Sequence, residues 1–360
     1  MYISSEGFSY HTFELKKKLL YKEYNMIKEK LYYLIKYNSE KIYRIQSNII
    51  CHIFRTQGVT IKLKNYDGAP AYLEVIVNPR LLVIDKDYSK IFICNSCNIQ
   101  KVAKEIDNIL NLIGANFSFQ DMYLSRIDLC VNLYDEDIYI IDLYLKVLSK
   151  CFIPISYKRY YYHNNIPNYK CKNKNSFRIA NKSICFTIYN KTFQILEEKL
   201  KTNSNSKILR LEMALSRIAI LKIIDKSVLE SNTGILLYMG NNCRNIMFKF
   251  LTNMFLAGSY VTYKTAKNII QKSGFKAKKK LTMIDYLTYI KECKNINNAT
   301  DKLCRRYKLS RYQLKDILKK FEELGINPIT LNNNTFLYLC LPDIYTMLNL
   351  NNLLNWKEEI

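Results

Sequence analysis

The sequence predicts an α+β protein. An antiparallel-sheet domain with helices on one face precedes a mainly helical C-terminal region with a winged-helix-like segment. Two observations carry this. Short period-two runs rich in β-branched and aromatic residues crowd the stretch from about 45 to 230, alternating with helical patterns. Beyond 235, helical periodicity takes over.

Taken in order, Leu15, Leu19, Leu20, Ile27, Leu31 and Leu34 among Lys and Glu predict an amphipathic helix over 14–37, inside an N-terminal segment 1–44. Strands are expected at Val59–Lys64, Tyr72–Val77, Lys90–Cys94, Ser125–Leu133, Ser183–Lys191 and Ile208–Leu215, within an α+β domain 45–234. Helices are expected at Ile99–Ile113, Ile138–Lys150 and Ile218–Leu229. A helical, winged-helix-like region 235–342 and a tail 343–360 complete the division.

A chain of 360 residues, 49% hydrophobic and 24% charged, has the composition of a folded protein with a sizeable core. No run reaches the ~18 apolar residues of a membrane span; 138–148 is broken by Asp142. No basic segment leads into an apolar one near Met1, so no secretory leader is expected. Eleven cysteines, scattered, read as reduced thiols of a cytoplasmic protein, and the single Cys94-x-x-Cys97 lacks a second pair to complete a zinc site. With histidine limited to His11, His52 and His163, a histidine-rich metal cluster is not expected. The 55 Lys and Arg against 31 Asp and Glu leave a net charge of +24, which points to a polyanion, most simply nucleic acid.

Four strands pair an apolar face with a polar one. Ile127, Leu129, Val131 and Leu133 alternate with Arg126, Asp128, Cys130 and Asn132; Leu211, Met213 and Leu215 alternate with Arg210 and Glu212. Glu74 stands opposite Leu73, Val75 and Val77, and Thr187, Tyr189 and Lys191 stand opposite Phe186 and Ile188. Carboxylates in the middle of apolar strands need partners, either a metal or phosphate ligand or, for Asp128 and Glu212, the arginines two residues earlier.

Ser125-Arg126-Ile127-Asp128, Thr187-Ile188-Tyr189-Asn190-Lys191 and Leu209-Arg210-Leu211-Glu212, in that order, together with Tyr72–Leu82 and its Pro79-Arg80-Leu81 turn, resemble rolling-circle replication initiators. The likeness is to the filamentous-phage gene-two-type endonucleases and their plasmid and prophage relatives, over about 60–230. The resemblance implies an origin-nicking replication initiator with Tyr189 as nucleophile beside Lys191. It implies Asp128, Glu212 and Glu74 around Mg²⁺ or Mn²⁺, and Arg126 and Arg210 on DNA. Host helicase and polymerase would be partners. Three departures stand: no His-x-His pair occurs, Val83-Ile84-Asp85-Lys86 follows the turn where the phage proteins often carry Gly-His-Asn, and Ser216 to Leu237 contains no tyrosine where the plasmid branch places its own. A non-catalytic DNA-binding protein of the same fold is the alternative, and an RNA-binding module a third.

Two basic surfaces are expected to grip nucleic acid. Residues 157–178 hold six Lys or Arg, six aromatics and no acid, Lys158, Arg159, Lys170 and Lys172 among them, as single-strand binding requires. From Lys264 to Glu323 there are 17 basic and 6 acidic residues. Here Ser310 caps a helix whose stripe is Leu314, Ile317, Leu318 and Phe321, Gly325 ends it, and a hairpin follows at 328–339. Arg305, Arg306, Arg311, Lys315 and Lys319 would face DNA.

Overall fold

The computed structural model describes residues 1–37, 43–45, 48–65, 70–160, 175–202, 204–293, 295–332 and 340–350. Its centre is a ten-stranded antiparallel sheet: β1 (Tyr2–Leu19), β2 (Tyr43–Ile45), β3 (Asn48–Cys51), β4 (Val59–Lys64), β5 (Ala71–Val77), β6 (Tyr123–Asp135), β7 (Lys158–Tyr160), β8 (Ser176–Ala180), β9 (Ile184–Asn190) and β10 (Lys207–Ser216). The spatial order is β2-β3-β4-β5-β1-β6-β10-β9-β8-β7. The expected α+β architecture is what the chain adopts.

The apolar alternation decides which face is packed. Ile127, Leu129, Leu211, Met213, Phe186 and Ile188 are buried on one side, where the helix Ile138–Leu148 and the segment after Cys243 close over them. Phe186 meets the rings of Phe250 and Phe255 at 5.2 and 6.3 Å.

Three expectations need correction. The first concerns the N-terminus: residues 14–19 belong to β1, and the helix starts at Tyr21 and runs to Tyr37. Leu15 and Leu19 fit a helical spacing of four, but they fit period two equally, and Phe13, Leu15 and Leu19 are all buried between β5 and β6. Residues 2–19 of the N-terminal segment thus form a central strand of the sheet, ahead of the helix.

Second, Lys90–Cys94 is irregular, because its carbonyls serve side chains instead of a ladder. Arg80 donates to Ile91 O (2.9 Å), Arg210 to Ser89 O and Lys90 O (3.4 Å each), and Asn98 to Ile93 O (2.9 Å). Third, the described part of the expected tail, residues 343–350, packs onto the helical region. Asp343 caps the helix Ile344–Met347, and buried Tyr345 donates to Phe255 O at 2.7 Å.

The C-terminal helices Ile296–Tyr307 and Arg311–Glu323 follow the expected pattern, with Lys308 left-handed between them (φ 50°) and a Ser310–Gln313 capping box. Ile317 and Phe321 are buried; Leu314 and Leu318 pack against the core's edge. Of the expected hairpin at 328–339, residues 333–339 lie outside the described residues. Its flanks pair with residues 259–262: Ile326 and Leu331 in parallel, Cys340–Leu341 antiparallel. Among the described residues no helix is long and apolar enough to cross a membrane.

Candidate active site

The site is built on the polar face of β1, β6, β9 and β10. Asp128 on β6 is opposite Ala214 on β10, and Glu212 is opposite Cys130, so the two acids are diagonal neighbours. Tyr189 on β9 is opposite Arg210, which makes it diagonal to Glu212. Its hydroxyl donates to Glu212 Oε2 at 3.0 Å.

The fourth member is His11, which the sequence reading did not place here. In the β1–β6 ladder Tyr10 pairs with Leu129 and Thr12 with Asp128, so His11 is the extra residue of a β-bulge. The bulge lets Tyr10 and Phe13, three residues apart, both point into the core, where their rings meet at 6.2 Å. It turns the imidazole to the opposite face, with Nε2 3.7 Å from Glu212 Oε2. Ligand atoms of His11, Asp128 and Glu212 lie within 4.8 Å of one another. The irregular pairing over Ile3–Phe8 and at His11 hides this strand from a period-two search; an aromatic-rich N-terminus, Phe8, Tyr10 and Phe13, was its available signal.

Protonation follows from burial and neighbours. Burial pushes His11 down to about 4 against the pull of Glu212, so the imidazole is neutral near pH 7. Its contact with Glu212 is therefore not an ion pair, and its Nδ1 is buried without a hydrogen-bond partner among the described residues. Burial and then the Glu212 charge raise Asp128 to about 7, although Arg126 forks it at 2.7 and 3.1 Å. Burial would raise Glu212 as well, but the buried Arg210 charge and the Tyr189 hydroxyl hold it below its ordinary value. A neutral imidazole nitrogen and two carboxylates, with an unused buried nitrogen, suit a divalent cation of mixed nitrogen and oxygen preference.

Several candidate residues are placed differently from expectation. Lys191 is not on the strand but opens the helix Lys191–Glu197, which Asn190 caps; its ammonium donates to Gln194 at 2.9 Å. Burial, then Arg210, lowers it to about 7, so it does not supply the permanent cation expected to favour phenolate. Burial and the Glu212 charge instead hold the Tyr189 phenol well above its ordinary value, with its proton on oxygen.

Glu74 is not in the cluster. It is buried on β5 and neutralised by Lys16 (2.8 Å), Lys64 (2.7 Å) and Lys62 (3.7 Å). Its partner Lys16 is four residues along β1 from Thr12, about 13 Å away. Arg210 is 1% exposed and cannot reach a phosphate. Its Nε donates to Asn132 Oδ1 at 2.7 Å, and with the Ser89 and Lys90 carbonyls this makes it an internal brace. Arg159 is also structural, stacking on Phe177 at 4.9 Å and donating to Ser149 O at 3.2 Å.

Arg126 and Lys158 are exposed. Lys170 and Lys172 lie outside the described residues. Arg305, Arg311, Lys315 and Lys319 are exposed on the C-terminal helices, and Arg306 reaches Tyr289 Oη (3.0 Å) and Asp285 (3.3 Å).

No protein-family model matches the sequence, and no curated protein matches it. Among solved structures, the chain is similar to a rolling-circle replication initiator protein from Geobacillus stearothermophilus. Identity is 10%, the match covers 69% of this chain and 85% of that chain, and the TM-score is 0.33.

Proposed function

We propose that this protein nicks one DNA strand and starts rolling-circle replication from the exposed 3′ end. The observation that carries the reading is the convergence of Tyr189, Glu212, Asp128 and His11, from four strands, on the face opposite the packed core. The charge of +24 supplies long-range attraction for the polyanion.

In the step proposed, Tyr189 Oη attacks a phosphodiester phosphorus. A tyrosyl ester to the 5′ phosphate forms, and the bond to the 3′ oxygen breaks. The phenolic proton passes to Glu212 Oε2, already its acceptor, and the departing oxygen takes a proton from water. His11, Asp128 and Glu212 would hold Mg²⁺ or Mn²⁺, which would supply positive charge against the phosphate oxygens. Arg126 orients Asp128. Because the ester conserves the phosphodiester energy, the reverse reaction rejoins strands. The exposed cations Arg305, Arg311, Lys315 and Lys319 would hold flanking duplex, in a helical pair serving as a winged-helix-like element.

The rival, a DNA-binding protein without catalysis, draws on the firmly held Tyr189 proton. Incubation with a random-sequence single-stranded DNA library and MnCl₂ separates the two. A covalent protein–DNA adduct mapping to Tyr189 by mass spectrometry is the expected result. DNA binding without adduct, or an adduct that persists in Tyr189→Phe, overturns the nicking reading.

A further inference from the structure

We infer that the polar face carries a track for single-stranded DNA running from the acid cluster to the edge strand β7, with Arg178 and Tyr160 as its phosphate and base contacts. The inference rests on the nicking reading for its ligand, but not for its geometry.

Two rows of side chains cross the strands on this face. In the first, Asp128, Ala214, Cys185, Ala180 and Lys158 are successive cross-strand partners on β6, β10, β9, β8 and β7. The second, one step along, is Cys130, Glu212, Thr187, Arg178 and Tyr160. Between the charged ends of the first row stand only alanine, cysteine and alanine, so it forms a shallow trough. Four strand spacings make it about 19 Å long. It begins at the site's carboxylates and ends at an exposed lysine.

The walls have the chemistry of a single-strand site. Arg178 is half-buried, and its Nε donates to the Cys185 sulfur at 2.9 Å, a weak acceptor; no carboxylate partners it among the described residues. Its guanidinium lies 6.0 Å from the ring centroid of Tyr160. That ring is 51% exposed, on an edge strand where an aromatic side chain gains little from folding. An arginine without an anion beside an open aromatic face serves a phosphate and a stacked base together. Arg159, between Lys158 and Tyr160, points to the opposite face and packs on Phe177, so the edge strand sorts its side chains by face. A duplex is too wide to lay one backbone and a stacked base in a trough between adjacent side-chain rows, which commits the track to a single strand.

The test is fluorescence anisotropy of labelled oligothymidylate, about 15 nucleotides long, with the full chain in EDTA, so that binding is read without cleavage. Tyr160→Ala and Arg178→Ala should each weaken binding about tenfold, and Tyr160→Trp should retain it. Arg178→Ala should also lower the salt slope by about 0.7, whereas Tyr160→Ala should leave it unchanged. Lys182→Ala, in the exposed β8–β9 turn, is the control and should have little effect. Unchanged affinity in both track variants, or equal loss in Lys182→Ala, overturns the inference. So does tighter binding of duplex or of oligouridylate through Tyr160. If Tyr189→Phe leaves an adduct intact while the track variants still lose affinity, the nicking assignment fails and the track stands.

Discussion

Tyr189 and Glu212, on neighbouring strands, share a hydrogen bond of 3.0 Å in which the phenol is donor and the carboxylate acceptor. The nucleophile and base we propose are thus already in contact, while burial and the Glu212 charge keep the proton on the phenol. Resting protection and poised transfer have the same geometric origin.

Tyr189→Phe should abolish adduct formation, lowering cleavage by about 10³-fold or more, with DNA affinity nearly unchanged. Glu212→Gln keeps an oxygen acceptor for the hydroxyl but removes the base, and cleavage should fall by about 10²-fold. Single-turnover cleavage on a denaturing gel measures both.

Isothermal titration should find a divalent site that prefers Mn²⁺ to Mg²⁺, because an imidazole nitrogen replaces one of the oxygens Mg²⁺ demands. His11→Ala should cost at least the ~10- to 100-fold that loss of an outer-sphere partner causes elsewhere. Glu74→Gln should leave that affinity unchanged.

Asp128 should leave a signature in stability against pH. Its folded value is about 7, set by burial first and Glu212 next, against 3.8 ordinarily. Between those values the folded chain keeps a proton that the unfolded chain has lost, so this group's contribution to stability falls as pH rises from about 4 to 7. His11, lowered by burial to about 4 from 6.5, contributes with the opposite sign over about 4 to 6.5. Lys191 is protonated in both states below about 7 and adds no slope there. The stability of the parent minus that of Asp128→Asn should therefore decline from pH 4 to 7 in metal-free urea titrations. Saturating Mn²⁺ should remove the decline by favouring the carboxylate.

Glu74→Gln should lower stability by roughly 1–2 kcal/mol, since Lys16 and Lys64 lose their shared counter-ion while staying partly hydrated. Arg210→Ala should cost more, about 3 kcal/mol, by emptying a buried side-chain volume and leaving the Asn132 Oδ1 acceptor without its arginine donor. Denaturant midpoints check both.

Alternation within β6, β9 and β10 was enough to place Asp128, Tyr189 and Glu212 on the polar sides of their own strands, because side-chain direction is a local property of period two. Helix ends were similarly legible where a cap is local, as at Ser310. Strand order and burial are not local. That β1 lies between β5 and β6, that a bulge sends His11 to the acids, and that the Ser89 and Lys90 carbonyls accept from Arg210 all depend on partners distant in sequence. Local alternation alone sets which residue types share each strand face. Only tertiary structure decided which became site, brace or counter-ion, since a charge's role is set by what is packed against it.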